Sequence, residues 1–268
     1  MSDTTPSPSE HAQAWLTGFD HALQRRDIDA AVAMMGDDCY WRDLVSFTWN
    51  ICTQESPAAV RAMLAARLDD VAPSHWQLTG DATTADGVTE AWFTFETRLS
   101  RGKGLVRLIN GRAWTLLTTM VELKGHEEKT GRHRVAGAEH GVHRGRKSWA
   151  ELKADEAATL GHTVQPEVVV IGGGQGGIAL GARLRRLGIS HIVVEKNPRA
   201  GDSWRNRYKS LCLHDPVWYD HLPYLPFPDD WPVFAPKDKI GDWLEMYTKV
   251  MELNYWSSTL AQKAQWDE

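Results

Sequence analysis

Hydrophobic residues along this chain of 268 residues change their spacing twice. Ala12, Trp15, Leu16, Phe19, Ala22 and Leu23 keep a helical period, and Ser9 is placed to cap the helix they predict. Ile28, Ala31, Val32 and Met35 predict a second, shorter helix. A third opens at Ser56-Pro57, an N-cap and first-turn pair, and carries Val60, Met63, Leu64 and Leu68 on one face. The period then falls to two. Ala91, Phe93, Phe95, Thr97 and Leu99 alternate with Trp92, Thr94, Glu96 and Arg98, as in a half-buried strand. Residues 105–109 and 114–123, joined through Asn110-Gly111, predict a hairpin. Helices followed by strands predict an α+β domain over residues 10–124.

The second change comes near residue 165. Residues 125–165 scatter basic side chains among glycines and four histidines, His126, His133, His140 and His143, and read as an extended, solvated linker. The spacing of His140 and His143 raises a metal site, but neither cysteine nor a helical His-Glu-x-x-His pattern accompanies it. From 167 the texture is that of a parallel α/β unit. An apolar strand over 167–171 runs into Gly172-Gly173-Gly174-Gln175-Gly176-Gly177, a helix continues to Leu187, and a second apolar strand over 191–194 closes on Glu195.

Each residue type in that run has a physical reason. Gly172 lets the chain turn off the strand, Gly174 has no side chain to hold a pyrophosphate away, and Gly177 lets the helix approach the strand. Gln175 and Gly176 sit in the helix's first turn, whose free N–H groups and positive dipole end favour an anion. Glu195 can accept hydrogen bonds from ribose hydroxyls and would repel a 2′-phosphate. Lys196 and Arg199 weaken that discrimination, yet FAD or NAD is favoured over NADP at this site.

Composition narrows the field. A net charge of -5 opposes binding to a nucleic-acid backbone, and no basic stripe interleaved with aromatics occurs. The N-terminal residues lack a basic and an apolar region of the signal-peptide kind, and no apolar run reaches membrane-spanning length. Cys39, Cys52 and Cys212 read as reduced thiols of a cytoplasmic protein. Thirteen tryptophans leave two readings open, aromatic-lined cavities or large core residues.

Beyond Glu195 stand Gly201-x-x-Trp204, then Arg207-Tyr208-x-Ser210-Leu211-x-Leu213-His214-x-Pro216, then Leu222-Pro223-Tyr224-Leu225-Pro226-Phe227-Pro228. With the glycine run they resemble the flavin-containing monooxygenases, the plant auxin-forming type included, over residues 166–268. The resemblance implies a Rossmann-type, doubly wound domain with FAD at the glycine motif, Glu195 on the adenosine ribose and the Gly201-to-Trp204 turn beside the cofactor. His214 matches a position near the flavin that many members fill with Asn. It either hydrogen-bonds the flavin as neutral imidazole or is a buried structural histidine. Six prolines between 216 and 236, with Trp218, Tyr219, Tyr224, Phe227 and Trp231 among them, suit a buried cover over the cofactor.

A helix over 237–253 and a strand over 255–260 follow, so only about three of the five or six strands of a doubly wound sheet are expected. Family members carry a second glycine motif for NADPH and a Phe-x-Gly-x-x-x-His signature, and neither occurs here. The chain is therefore expected to be the N-terminal part of a longer enzyme, with the NADPH site outside it. The order of elements over 10–124, together with Tyr40-Trp41-Arg42-Asp43, resembles the NTF2-like (SnoaL-like) superfamily, whose domains are cones with an internal pocket. Asp43 and His75 are the acid–base candidates by position; an exposed loop carboxylate and a surface histidine are the alternative. The function expected is NADPH- and O2-dependent oxygenation of a small organic substrate. The rivals are a small-molecule binder or isomerase built on the NTF2-like domain, and a non-catalytic remnant. Substrate and oligomeric state are not specified by the sequence.

Overall fold

The first helix starts at Ser7 rather than Ser9, because only Ser7 has proline next to it and glutamate three residues on. In helix α1 (Pro8–Gln24) the Ser7 hydroxyl accepts the Glu10 N–H at 3.2 Å, and the Glu10 carboxylate accepts the Ser7 N–H at 2.7 Å. Ser9 is used elsewhere, its hydroxyl accepting the Ala82 N–H. The computed structural model describes residues 6–137 and 140–266, and every statement below concerns those described residues. The chain forms two units, the first ending at Glu127 and the second beginning at Glu128. No helix is long and apolar enough to cross a membrane.

In the first unit, Asp27 caps helix α2 (Ile28–Ala33). Met35 does not extend that helix but opens strand β1 (Met35–Leu44), which the sequence reading missed. Strand β2 (Ile51–Gln54), helix α3 (Pro57–Val71), capped by Ser56 as expected, and strands β3 (Ser74–Leu78) and β4 (Thr83–Ala85) follow. Strands β5 (Val88–Glu96), β6 (Ser100–Ile109) and β7 (Arg112–Leu123) complete one sheet in the order β2-β1-β7-β6-β5-β3, with β4 added on β5. Asn110 and Gly111 take positive φ, 51° and 74°, as the tight β6–β7 turn requires. The sheet is not wholly antiparallel, since β1 runs parallel to β7.

Part of the aromatic content builds the core of this unit, while Trp49 and Trp92 of the same unit are exposed. Trp15 stacks on Phe19, and Trp76 stacks on both Phe93 and Phe95, with ring centroids 4.9 and 5.0 Å apart. Trp15, Trp41 and Trp76 are buried, so for these three the core reading of the tryptophans holds. Two strand glycines make the packing possible. A Cβ on Gly102 would lie 2.3 Å from the Phe95 ring, and one on Gly104 would lie 2.2 Å from the Phe93 ring.

In the second unit, the solvated strap expected over 125–165 contains a helix, α4 (Trp149–Thr159), with a Ser148–Glu151 capping box. Just beyond it Leu160 packs with Ile192, Val194 and Trp256, which is why this stretch is not extended throughout. Strand β8 (Val168–Ile171), helix α5 (Gln175–Leu187), strand β9 (His191–Val194), the short helix α6 (Asp202–Arg205), helix α7 (Lys237–Val250) and strand β10 (Tyr255–Trp256) follow. The three strands are parallel, in the order β10-β9-β8. Helix α7 stops three residues earlier than its apolar spacing suggests, because Glu252 takes a left-handed φ of 50°. Strand β10 is correspondingly short, the chain turning at Ser258 (φ 53°) to bond Asn197 and Glu195 through the Ser258 and Thr259 N–H groups.

Candidate cofactor-binding site

The glycine run has the backbone geometry its residues suggest. Gly172 sits at φ 102°, a conformation closed to ordinary side chains, and turns the chain off β8. Gly174 is the N-cap of α5 and supplies no side chain to its first-turn N–H groups. A Cβ on Gly177 would stand 1.9 Å from the Gly172 carbonyl oxygen, so the helix rests directly on the loop. Gly176 faces open space. Gly173 is also constrained, although it is not one of the three motif glycines: a Cβ there would meet the Tyr255 hydroxyl at 2.2 Å. Tyr255 donates its hydroxyl to the Gly173 carbonyl at 2.9 Å and so ties β10 to the loop. Sequence reasoning placed Tyr255 in a strand but gave no signal for this contact, which needs the crossover to bring it back.

Glu195, at the end of β9, is buried. Its Oε2 accepts the Gly173 N–H at 2.7 Å, and its Oε1 accepts the backbone and side-chain N–H groups of Asn197 at 2.9 and 2.6 Å. A carboxylate has about four acceptor positions, so one remains, on Oε2, for an external hydroxyl. Lys196 is exposed beside it.

Gly201 takes φ 87° at the start of α6, and a Cβ on it would lie 2.1 Å from the Gly241 carbonyl oxygen. Arg205 holds this junction, reaching the Asp202 and Asp242 carboxylates at 3.1 and 2.7 Å, Glu245 at 3.0 Å and the Ala200 carbonyl at 2.8 Å. Trp204 donates its indole N–H to the Gln175 side-chain oxygen at 3.0 Å, which joins the turn to the first residue of α5. Next to Trp204, the buried Ser203 hydroxyl has no hydrogen-bond partner. It lies against Gly174, whose Cβ would be 3.6 Å from it.

A cavity of about 400 Å³ opens beside this turn, lined by Gln175, Trp204, Cys212, His214, Phe227 and Leu244 among others. His214 is exposed, so it is not the buried structural histidine that was one of its two readings. The aromatic–proline segment is only partly a buried cover. Phe227 is buried and stacks on Trp231, whereas Trp218 and Tyr219 are 54% and 75% exposed.

Partly and fully buried tyrosines give this unit a pH dependence, Tyr247 and Tyr255 most strongly. Burial pushes the Tyr247 hydroxyl up to about 12, and burial with the nearby Glu195 and Asp202 carboxylates raises Tyr255 further. Both are held neutral. Because their folded values lie above the ordinary phenol value near 10, their contribution is complete below that pH and is lost as pH rises through the folded values. Near-UV circular dichroism followed upward from pH 10 should show the second unit loosening, beginning over the interval up to about 12. Tyr247→Phe should blunt the transition, and identical titrations of variant and parent would contradict this assignment.

The acid–base candidates of the first unit are not brought together. Asp43 is fully buried, not an exposed loop carboxylate, and accepts five hydrogen bonds: from the Ser46, Phe47 and Thr48 N–H groups and from the Thr48 and Thr118 hydroxyls. Thr118 in turn accepts the Trp41 indole N–H at 2.9 Å. His75 is exposed on β3, its Nδ1 2.9 Å from the Ser74 hydroxyl, and β7, β6 and β5 lie between its strand and that of Asp43. No group of three or more His, Cys, Asp or Glu side chains among the described residues is placed to hold a metal ion.

Comparison with known proteins gives the second unit its context. The family described as "FAD binding domain" matches residues 165–210. An uncharacterized CzcO-like oxidoreductase of Geobacillus kaustophilus is 42% identical over 87 residues, 32% of this chain and 25% of that protein. The probable indole-3-pyruvate monooxygenase YUCCA3 of Arabidopsis thaliana is 35% identical over 101 residues, 37% of this chain and 23% of its own length. A solved NTF2-like protein of unknown function from Burkholderia pseudomallei aligns with 41% of this chain and 91% of its own, at 16% identity and a TM-score of 0.32. The chain thus spans about a quarter of the length of the curated relatives it matches. By sequence, residues 165–210 are similar to the FAD-binding family, and the second unit is similar to a stretch of the flavin monooxygenases.

Proposed function

We propose that the second unit holds FAD and serves a flavin-dependent monooxygenase reaction, in which NADPH and O2 are consumed and a small organic substrate is oxygenated. The observation that carries the reading is the uncapped N-terminus of α5, with Gly174 at its mouth and the partnerless Ser203 hydroxyl beside it. Unpaired N–H groups, a helix dipole and one orphaned hydroxyl are donors in search of an anion, and a pyrophosphate answers that need. The strand order β10-β9-β8 supports the reading, because it is the arrangement of one half of a dinucleotide-binding sheet.

Bound there, FAD would supply the redox and oxygen chemistry. This chain's own residues bind, orient and exclude water. Gly172, Gly174, Gln175, Gly176 and Gly177 present backbone to the phosphates. Glu195 offers its remaining Oε2 position to a ribose hydroxyl, and Lys196 lies at the same strand end. Gly201 and Trp204 form a wall against Gln175, His214 stands at the rim, and Phe227 and Leu244 keep the cavity apolar. The nicotinamide cofactor is assigned to no residue of this chain.

Titration of the purified protein with FAD tests the reading. The protein should turn yellow and keep flavin absorbance through gel filtration, and Ser203→Ala should weaken binding several-fold with an unchanged melting temperature. A folded protein that stays colourless at saturating FAD would overturn it.

A further inference from the structure

The interior of the first unit is packed with aromatic rings, but its rim is not closed. A cavity of about 260 Å³ lies between the loop of residues 45–50, the end of α3 and the turn joining β5 to β6. Its donors are unbalanced. Thr97 Oγ1 accepts the Leu99 and Ser100 N–H groups at 3.2 and 2.9 Å, which occupies both of its lone pairs. In its 2.8 Å contact with Ser100, Thr97 must therefore be the donor. The Ser100 hydroxyl hydrogen is then left without an acceptor at a residue only 2% exposed. Among the described residues Arg67 makes no ion pair or hydrogen bond, while the other cation on the cavity wall, Arg98, is already paired with Asp70 at 3.5 Å. One unused hydroxyl donor and one unused guanidinium line the same space.

The rest of the wall is formed by the apolar Phe47, Trp49, Val71 and Leu99 together with Ser46 and the Asp70 carboxylate, whose charge is offset by Arg98. The loop that carries Phe47 and Trp49 is strained: Val45 and Trp49 take φ of 59° and 55°, which a β-branched and a bulky residue adopt only when the surroundings force them. Here the force comes from Asp43, whose carboxylate holds the Ser46, Phe47 and Thr48 N–H groups. Strain of that kind, maintained by a buried carboxylate, fixes the aromatic wall opposite the two donors.

We propose that this rim cavity binds a small aromatic carboxylate, its carboxylate on Arg67 and the Ser100 hydroxyl and its ring against Trp49 and Leu99. The site is independent of the flavin reading, since no residue of the second unit takes part. Isothermal titration of the whole chain with phenylacetate and, separately, with phenylethylamine tests it. Phenylacetate should bind saturably and the amine should not. Arg67→Gln should weaken phenylacetate about tenfold or more, the usual value of a charge-assisted contact, and Ser100→Ala should weaken it several-fold. Arg61→Gln, which removes a cation of the same helix paired with Asp29, should leave binding unchanged. Because Arg67 is exposed and unpartnered, its substitution does not threaten the fold. No saturable binding by the parent protein, equal binding of acid and amine, or unchanged affinity in Arg67→Gln would each overturn the proposal.

Discussion

Gly177→Ala is expected to abolish FAD retention and to lower the melting temperature of the second unit. The added Cβ would stand 1.9 Å from the Gly172 carbonyl oxygen, and both partners are backbone, so no side chain can rotate away. Relief requires α5 to lift from the loop, which carries its first-turn N–H groups away from the place where phosphate would sit. Overpacking of this kind costs about 1–3 kcal/mol, and a clash with backbone belongs at the upper end. Gly176→Ala is the control within the same turn. Its Cβ meets nothing within 4 Å, and alanine is favoured over glycine in a helix by about 1 kcal/mol. That variant should melt higher than the parent. Its flavin affinity then reports whether the open space beside Gly176 is used by the cofactor. Thermal melting with flavin fluorescence distinguishes the two, and a Gly177→Ala protein with parental melting and stoichiometric flavin would refute the account.

Asp43→Ala should cost at least about 3 kcal/mol of the first unit's stability. It removes a fully buried carboxylate that accepts three backbone N–H groups and two hydroxyls. A buried donor left unsatisfied costs about 1–3 kcal/mol, and the restraint on the strained loop of Val45 and Trp49 is lost with it. Asp43→Asn keeps one acceptor oxygen and should fall between. By contrast, breaking the exposed Arg61–Asp29 pair should cost less than about 1 kcal/mol. Urea unfolding followed by near-UV circular dichroism reads the difference, since Trp41 reaches this network through Thr118. If Asp43 were a base and not a scaffold, Asp43→Asn would leave the urea midpoint where it was.

These two residues also mark how far sequence reasoning reached. The role of Gly177 was legible because a glycine at that distance from a strand end has one physical explanation, close approach of helix to loop. The Ser56 cap, the Asn110-Gly111 turn and the periodic faces of α1 and α3 were legible for the same reason: each depends on neighbours within four residues. Asp43 was not. Its five donors include Thr118, 75 residues away, and nothing in Tyr40-Trp41-Arg42-Asp43 says whether the carboxylate faces solvent, substrate or backbone. Strand β1 was missed because a buried acid breaks the apolar alternation by which strands are recognised.

Tyr255 and Ser203 follow the same division. A parallel crossover returns Tyr255 to the glycine loop 82 residues earlier in the chain, and the α6 turn leaves Ser203 facing Gly174 with no partner. By itself, the sequence determined the Ser56 cap, the hairpin turn at Asn110-Gly111 and the close approach of helix to loop at Gly177, because those rest on local conformational preference and on spacing along one element. Only the tertiary structure decided which polar groups are already satisfied and which are left open. Hydrogen-bond saturation is a property of neighbours in space: it shows the Asp43 carboxylate already accepting five hydrogen bonds and leaves Ser203, Ser100 and Arg67 as donors without acceptors.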